Sequence, residues 1–166
     1  MKLATPTNTL RAYEAVVPLP VGAWQAGIRT DGHAVIEIDF IDEEFERTAP
    51  SRVATEAAQQ LQRYVDNPQW RFTLALNLKG TPFQRRVWAA LQMLPPGETR
   101  SYGELARRLN SAARAVGGAC RANPIAIMIP CHRVVAARGL GGFSGATGGP
   151  ELLLKQWLLE HESSNV

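Results

Sequence analysis

The sequence has 166 residues, of which 45% are hydrophobic and 20% charged, and its formal net charge is +3 at pH 7. These proportions are typical of a globular protein of one domain or two small ones, and they exclude a disordered chain. Two cysteines exclude a disulfide scaffold and a four-cysteine zinc site, and three scattered histidines predict no metal site.

The charge is distributed unevenly along the chain. Residues 1–80 hold 8 Lys and Arg against 10 Asp and Glu, whereas residues 81–166 hold 10 against 5, and nine of those ten cations are arginine. Arginine forms bidentate and stacked contacts with phosphates and bases. The basic second half therefore points to an anionic partner, nucleic acid first, although a basic surface that serves only solubility explains the charge equally well.

The first half of the chain is predicted to form a small three-stranded sheet. Residues 23–30 and 34–40 alternate between apolar and polar side chains and flank Asp31-Gly32, a pair typical of β-hairpin turns. Residues 70–78 alternate in the same way and predict the third strand.

One helix accompanies this sheet. Ser51 can cap a helix over residues 51–65, whose apolar side chains recur on one face. The pattern changes to short helices after Lys79-Gly80, so we predict an N-terminal domain of residues 1–79 and a C-terminal domain of residues 80–166.

The second half is predicted to be mostly helical. Thr81-Pro82 is typical of a helix start, with a capping side chain followed by a proline in the first turn. Residues 138–149 are rich in glycine but lack the lysine and serine of a phosphate-binding loop, so we interpret them as a flexible pocket wall. The predicted helices cover residues 81–94, 101–109, 111–123 and 150–162.

The second and third of these helices are separated by about one residue, as in a helix-turn-helix. The third, which Ser111 would cap, carries almost no large side chain, while Arg114 and Arg121 project from it. Small residues also suit a tightly packed internal helix. Their combination with arginines favours a recognition helix that lies in a groove of nucleic acid.

A cysteine and a histidine stand side by side within the apolar residues 125–135. This segment is predicted to be buried and extended, with a break at Pro130. Because consecutive side chains of an extended segment point to opposite faces, we expect Cys131 and His132 to communicate through a water or a local turn rather than directly. On the thiol alone, an inert core cysteine is the commoner interpretation.

The block RAVGGACRANPIAIMIPCHRVV, residues 114–135, resembles the signature of the O6-alkylguanine–DNA alkyltransferases. TPFQRRVW, SYGELA and KQWLLEHE are similar to further blocks of that family, so the resemblance covers residues 80–162 in order and spacing. It implies an α/β (α+β) fold, with a small three-stranded ribonuclease-H-like sheet and helix before a helical, winged-helix-like domain that contains the helix-turn-helix. Residues 1–79 match the family only in outline.

The resemblance implies direct-reversal DNA repair. A methyl or larger alkyl group would pass from O6 of a damaged guanine to Cys131, once per molecule and without a cofactor, with O4-alkylthymine as a further candidate lesion. The damaged base has to leave the stack and enter a dry pocket. His132 would hold a water beside Cys131, and Glu162 would orient His132.

The resemblance also implies roles for residues around the base. Asn123 would brace the turn that bears the thiol, Tyr102 would donate a proton or hydrogen bond to the guanine ring, and Ser144 would bind O6. Arg114 would fill the gap that the flipped nucleotide leaves. The remaining candidates are the carbonyl of Val134, the pocket residues Pro124 and Phe143, and Ala115 and Arg121 on the recognition helix.

The implied partner is double-stranded DNA that contains O6-alkylguanine, bound by a monomer through the minor groove. A groove about 6 Å wide suits a helix of alanine and glycine. The sequence contains neither the apolar core of a signal peptide near residues 1–10 nor an apolar run that could span a membrane, so we expect a cytoplasmic protein.

Three other functions account for parts of the sequence. They are a lesion-binding protein without chemistry, a winged-helix transcription regulator with Cys131 as a core residue, and a thiol hydrolase. Relatives that bind lesions without repairing them carry tryptophan in place of the cysteine, so Cys131 favours the transferase. The recognition helix lacks bulky polar base readers, and the cysteine lacks the flanking residues of thiol proteases.

Overall fold

The computed structural model describes residues 10–164. Residues 1–9, where no signal peptide is expected, and residues 165–166, at the end of the second predicted domain, lie outside the described part. Within residues 10–164 the chain forms seven short strands and five α-helices. The strands are β1 (Ala12–Tyr13), β2 (Ala15–Pro18), β3 (Gln25–Thr30), β4 (Val35–Ile41), β5 (Glu46–Arg47), β6 (Arg100–Ser101) and β7 (Val134–Val135). The helices are α1 (Arg52–Asp66), α2 (Pro82–Gln92), α3 (Tyr102–Arg108), α4 (Ala113–Arg121) and α5 (Pro150–Ser163), and a 3₁₀ helix covers Cys131–Arg133.

The main sheet is antiparallel, in the order β2-β3-β4. Its central hairpin, β3–β4, is the one predicted around Asp31-Gly32. The Asp31 carboxylate closes the turn by accepting hydrogen bonds from the backbone N–H groups of His33 and Ala34 at 2.9 and 2.8 Å. The predicted α/β class, a small sheet with a helix followed by a helical second half, is confirmed.

The prediction of a third strand over residues 70–78 was wrong, because β2 takes that place in the sheet. Residues 70–78 are extended and alternate between partly buried and exposed, but they bridge β4 only at Val35, which exchanges backbone hydrogen bonds of 2.9 Å with residues 75 and 77. Farther along β4, Ile38 bonds instead to the backbone of residues 124–126. That second segment occupies the edge that a longer strand would need.

Helix α1 agrees with the prediction, including its cap. The Ser51 hydroxyl accepts a hydrogen bond from the Ala54 N–H at 3.1 Å, as an N-cap side chain does. The buried side chains Ala54, Ala57, Leu61 and Tyr64 form one stripe. This stripe packs against β2 and β3.

Gly80 stands at the predicted domain boundary, which stays a prediction. A Cβ atom there would lie 2.6 Å from the Trp88 ring, so only glycine allows the chain to enter α2 this closely. The hydrophobic core continues across this point, since Ile38 of β4 and Ile125 are buried in one cluster.

The predicted helices of the second half are present, with two corrections at α4. Thr81 and Ser101 cap α2 and α3 in reciprocal capping boxes. Helix α4 begins after Ala112, so Ser111 does not cap it as predicted. Four residues rather than one join α3 to α4, because Asn110 adopts a left-handed conformation (φ 52°) that ends the preceding helix.

Residues 125–135 are mostly buried, as predicted, but they are extended only at the Ile125 bridge and in β7, so the prediction of a continuous extended segment was wrong. After the bridge at Ile125 the backbone turns, Ile129 N–H donates to the Ile125 carbonyl at 3.0 Å, and the 3₁₀ helix follows. Asn123 organises this turn: its Oδ1 accepts from Ile125 N–H at 3.0 Å and its Nδ2 donates to the Ile129 carbonyl at 2.7 Å. An asparagine side chain that bonds nearby backbone in this way offers an alternative to strand pairing.

Candidate active site

The Cys131 side chain lies at a cavity of about 230 Å³ between α4, the start of α3 and the glycine-rich loop. Tyr102, Phe143, Ser144 and Arg121, all predicted to serve the substrate or DNA, line the same cavity. Pro124 does not line it, because its carbonyl accepts a hydrogen bond from Ile38 of β4 and holds the residue at the sheet edge. The remaining lining residues are Gly117, Cys120, Gly142, Gly145, Ala146 and Thr147.

One wall of the cavity is a tight turn in the glycine-rich loop. Phe143 and Ala146 exchange backbone hydrogen bonds of 2.9 and 2.8 Å, and the two residues between them, Ser144 and Gly145, have φ of 51° and 80°. Positive φ at both central positions defines a type I′ turn. A Cβ atom at Gly145 would also lie only 3.1 Å from the Arg121 guanidinium. The turn therefore fixes Ser144 at its tip.

Behind Cys131 lies a buried hydrogen-bonding cluster. His132 Nε2 lies 2.8 Å from Glu162 Oε1, and both side chains are almost completely buried. Arg133 donates to both carboxylate oxygens, from Nε at 2.9 Å and from Nη2 at 2.8 Å. The Tyr64 hydroxyl donates to Glu162 Oε1 at 2.8 Å. Glu162 thus collects four hydrogen bonds from three side chains.

This cluster defines the charge states of its members. Burial alone raises the pKa of Glu162, but the hydrogen bonds from His132 and Arg133, together with the Arg133 charge, outweigh it and hold that pKa well below the usual range. Burial lowers the pKa of His132, so the ring is neutral at pH 7. Because a carboxylate only accepts, the proton of the neutral ring sits on Nε2, and Nδ1 keeps its lone pair for a base role.

The Cys131 thiol is protonated at rest. Burial raises its pKa, while the Asn123 amide and the Lys155 charge act in the opposite direction. Cys131 and His132 are adjacent on the 3₁₀ helix, and within residues 10–164 no hydrogen bond joins the thiol to the imidazole ring. A contact through one water would let the ring act as a base on the thiol.

Lys155 is a residue of this site that the sequence reasoning missed. It is fully buried on α5, and its Nζ donates to the carbonyls of Val134 and Gly142 at 2.6 and 3.0 Å. Burial lowers its pKa to about 8. The ammonium ties the glycine-rich loop to β7 beside the thiol. Lysine is seldom fully buried, and only its place in the apolar run before Trp157 could have drawn attention to it.

Tyr102 lies against the opposite side of the cavity. Its hydroxyl donates to the Gly142 carbonyl at 3.3 Å. Burial, with smaller contributions from the two cysteines, raises its pKa to about 12. The phenol therefore keeps its proton and can act as a donor inside the cavity.

Helix α4 presents a thin face to solvent. Arg114, Ala115, Gly118 and Arg121 are exposed, whereas Val116, Ala119 and Cys120 are buried. The Trp88 indole N–H donates to the Ala119 carbonyl at 2.9 Å and anchors the buried side. Burial raises the pKa of Cys120 to about 12, so this thiol is a packing residue that borders the cavity.

Residues 10–164 contain neither a cluster of metal ligands nor a membrane-spanning helix. In that range, no three His, Cys, Asp or Glu side chains are grouped as a metal ion would need. The same residues hold no helix with the length and apolar character of a membrane span.

A nucleophilic thiol at a cavity, a buried histidine–carboxylate pair behind it and an exposed helix-turn-helix beside it define a thiol-dependent transferase that acts on nucleic acid. Residues 82–164 match the family model described as "6-O-methylguanine DNA methyltransferase, DNA binding domain". A methylated-DNA–protein-cysteine methyltransferase from Mycobacterium leprae is 43% identical over 146 residues, which cover 81% of this chain and 84% of that protein. The chain therefore belongs to the family of methylated-DNA–protein-cysteine methyltransferases.

Solved structures agree with this family. The O6-methylguanine methyltransferase of Mycobacterium tuberculosis superimposes with a TM-score of 0.77 at 34% identity, covering 91% of this chain and 92% of that one. Mycobacterium tuberculosis OGT, crystallised in complex with DNA, gives a TM-score of 0.74 at 35% identity, with 90% and 91% covered. The resemblance seen in the sequence is confirmed.

Proposed function

We propose that this protein repairs O6-alkylguanine in double-stranded DNA by moving the alkyl group irreversibly to Cys131. The observation that carries the proposal is the position of this thiol, at a cavity on one side and next to the His132–Glu162 pair on the other. The thiol thus faces a space for the substrate, and its neighbour in the chain is a histidine able to act as a base.

The reaction is an in-line displacement at the alkyl carbon. The thiol proton passes to Nδ1 of His132 through a water, the new sulfur–carbon bond forms, and the carbon–O6 bond breaks. The guanine leaves as an anion, to which the Tyr102 phenol donates a hydrogen bond. The guanine then takes up a proton from water and the His132 imidazolium releases one, so charge and protons balance. The product is a thioether with no leaving group that this site can activate, so each molecule acts once.

DNA is held by the helix-turn-helix, with α4 in the minor groove. The exposed face of α4 carries Ala115 and Gly118 between Arg114 and Arg121, and these small residues permit close approach to a narrow groove. Arg114 fills the space of the extruded nucleotide, and the base enters the cavity beside Ser144. The complex of Mycobacterium tuberculosis OGT with DNA supports a DNA partner.

The groups around the base have complementary roles. Asn123 braces the turn that carries Cys131, and Phe143, buried against Phe40 at 5.7 Å, forms an apolar wall. The carbonyls of Cys131 and Val134 accept from the guanine amino group. A carbonyl has two lone pairs, so the hydrogen bond that the Val134 carbonyl accepts from Lys155 leaves one lone pair for the guanine base.

We take the active species to be a monomer.

A titration of lesion against protein tests this function. A duplex with one O6-methylguanine is incubated with increasing protein, and the remaining lesion is counted after digestion to nucleosides. We expect one lesion lost per protein molecule, with Cys131→Ser binding the duplex but removing none. Tight binding without lesion loss by the unsubstituted protein would instead favour a lesion-binding protein, and many losses per molecule would favour a turnover enzyme.

A further inference from the structure

We infer that Tyr64 is a positioning residue for alkyl transfer, because its hydroxyl controls the proton affinity of His132 through their shared partner Glu162. Tyr64 belongs to α1 and precedes Glu162 by 98 residues, yet its hydroxyl lies 2.8 Å from Oε1. This inference rests on the proposed function and deepens it. It gives the N-terminal part of the chain a share in the chemistry.

The tyrosine is held rigidly in place. Its side chain is fully buried, and its ring packs on Phe72 at 5.8 Å and edge-on against His161 at 5.4 Å. The His161 ring also lies 2.9 Å from the Tyr64 carbonyl, in hydrogen-bonding range. Consecutive residues of α5, His161 and Glu162, therefore both bond to one residue of α1. The hydroxyl has a fixed direction, as a positioning group requires.

The Tyr64 hydroxyl affects the proton affinity of His132 through one shared acceptor atom, Glu162 Oε1. It accepts from Tyr64, from His132 and from Arg133, each at 2.8 Å. Donors that share one oxygen compete for its negative charge. The hydrogen bond from the Tyr64 hydroxyl leaves less of the negative charge on Oε1 available to His132, and this weakens the stabilisation of a protonated imidazole. Tyr64 thereby helps to keep His132 neutral and able to accept the thiol proton.

The other charges near His132 are few. Glu162 and Lys155 face it from α5, Arg133 follows it in the chain, and Cys131 precedes it. Helix α2 also packs against this segment, through a buried face of Val87, Trp88 and Leu91 that contains no titratable group. A change at Tyr64 therefore reaches His132 through Glu162.

The test is the pH dependence of single-turnover methyl transfer in the full-length protein. Tyr64→Phe removes one oxygen and leaves Glu162 with its bonds to His132 and Arg133. We expect the acidic limb of the rate–pH profile to move to higher pH by roughly half a pH unit to one unit. The reason is that a hydrogen bond to a charged oxygen is lost and only part of its energy changes the pKa of the His132 ring. At pH values above this limb, Tyr64→Phe and the wild type should transfer the methyl group at the same rate.

The matched control is Tyr13→Phe. Tyr13 is also a buried tyrosine whose hydroxyl donates to a carboxylate, Asp39, at 3.1 Å, but that carboxylate has no link to His132. Its profile should overlay that of the wild type. A folded Tyr64→Phe protein with an unshifted limb would overturn the inference and leave Tyr64 as a packing residue.

A second variant keeps the test decisive if Tyr64→Phe does not fold. Site-specific replacement of Tyr64 by 3-fluorotyrosine makes the phenol a stronger donor at nearly the same volume, and we expect the acidic limb to move to lower pH. A shift to higher pH, or none, contradicts the inference. If the wild type transfers no methyl group at all, it is the proposed function that fails.

Discussion

Cys131 depends on its neighbours for reactivity, and the least expected of them is Lys155. The ammonium lowers the pKa of the thiol, against the effect of burial. Among residues 10–164, its hydrogen bonds go to the carbonyls of Val134 and Gly142 and to no carboxylate. Because neutral carbonyls do not cancel the positive charge of the ammonium, that charge can stabilise a developing thiolate at Cys131.

Replacing Lys155 by methionine tests this electrostatic role. We expect the thiolate fraction of Cys131, and with it the rate of alkylation by iodoacetamide, to fall at pH values below 8, where Lys155 carries its charge in the wild type. The difference should fade above pH 8, because the pKa of Lys155 is about 8 and the wild type then loses the same charge. Lys79→Met, at an exposed lysine, is the control and should leave the curve unchanged. A Lys155→Met curve equal to that of the wild type would show that the charge does not act on the thiol.

The His132–Glu162 pair makes stability sensitive to acid. The pKa of His132 is lower in the folded than in the unfolded state, so the unfolded state binds more protons and stability falls as the pH drops below about 6.5. The depressed pKa of Glu162 adds a contribution that is present above about pH 4.5 and is lost as the pH falls toward its folded value. Urea unfolding between pH 7 and pH 4 measures both effects.

Glu162→Gln provides the corresponding variant. It leaves Arg133 buried without its counter-ion, which costs about 3–5 kcal/mol of unfolding free energy at pH 7. Its stability should also depend less on pH below 4.5 than that of the wild type. Glu160→Gln, an exposed position on the same helix, should change stability by no more than about 0.5 kcal/mol. Equal losses for the two variants would rule out a buried charge cluster.

Substitutions on the exposed face of α4 distinguish effects on helix stability from effects on DNA binding. A Cβ atom at the exposed Gly118 meets nothing within 4 Å, so larger residues fit the folded protein there. Gly118→Ala should stabilise the helix by about 1 kcal/mol and keep DNA affinity. Gly118→Leu should also fold but bind DNA at least tenfold more weakly, because its side chain blocks the groove. Unchanged DNA affinity in Gly118→Leu, measured by fluorescence anisotropy, would contradict the assignment of α4 to the minor groove.

Helices were predictable because their signals are local. Ser51 and Thr81 cap the helices that follow them, as predicted, whereas Ser111 does not cap α4. The β3–β4 hairpin was also predictable, from its turn. The pairing of the other extended segments was not, since it depends on contacts between segments far apart in the sequence. Residues 124–126 take the edge that residues 70–78 were predicted to use, and no local pattern reveals that competition.

The site was predictable where residues adjoin the thiol in a motif, and less so across the fold. Cys131, His132 and Glu162 are recognisable from the blocks around them, and the structure brings them together. Tyr64 lies outside those blocks, and Lys155, although it opens the block that ends with Glu162, has the sequence pattern of an ordinary helix residue. Their roles arise from burial next to a carboxylate and a thiol, which only the folded chain reveals.

The charge asymmetry of the whole molecule predicts salt-dependent DNA binding. The exposed arginines Arg107 and Arg108 at the end of α3 are candidates for phosphate contacts, as are Arg85 and Arg86 on α2. Affinity should fall steeply with salt, and Arg107→Glu should reduce the slope of log K against log salt by about 1. Arg52→Glu, in the acidic first half, is the control. Salt-independent affinity would contradict a phosphate-based interface.

Both halves of the chain contribute residues to the site. Cavity, thiol and recognition helix come from the second half, whereas Phe40 supports the cavity wall and Tyr64 supports Glu162 from the first. One hydrophobic cluster joins them. The first half therefore contributes to the cavity wall and to the hydrogen bonds of Glu162, and substitutions at Phe40 or Tyr64 are expected to alter the rate of transfer.

The central claim is that Cys131 is a single-use alkyl acceptor, and intact-protein mass spectrometry tests it most directly. The protein is incubated with a duplex that carries one O6-methylguanine, with Cys131→Ser and Cys120→Ser in parallel. We predict that the wild type and Cys120→Ser gain the mass of one methyl group in place of a proton, mapped by peptide fragmentation to Cys131, while Cys131→Ser gains nothing. An unchanged mass for the wild type, with the duplex still bound, would contradict the account.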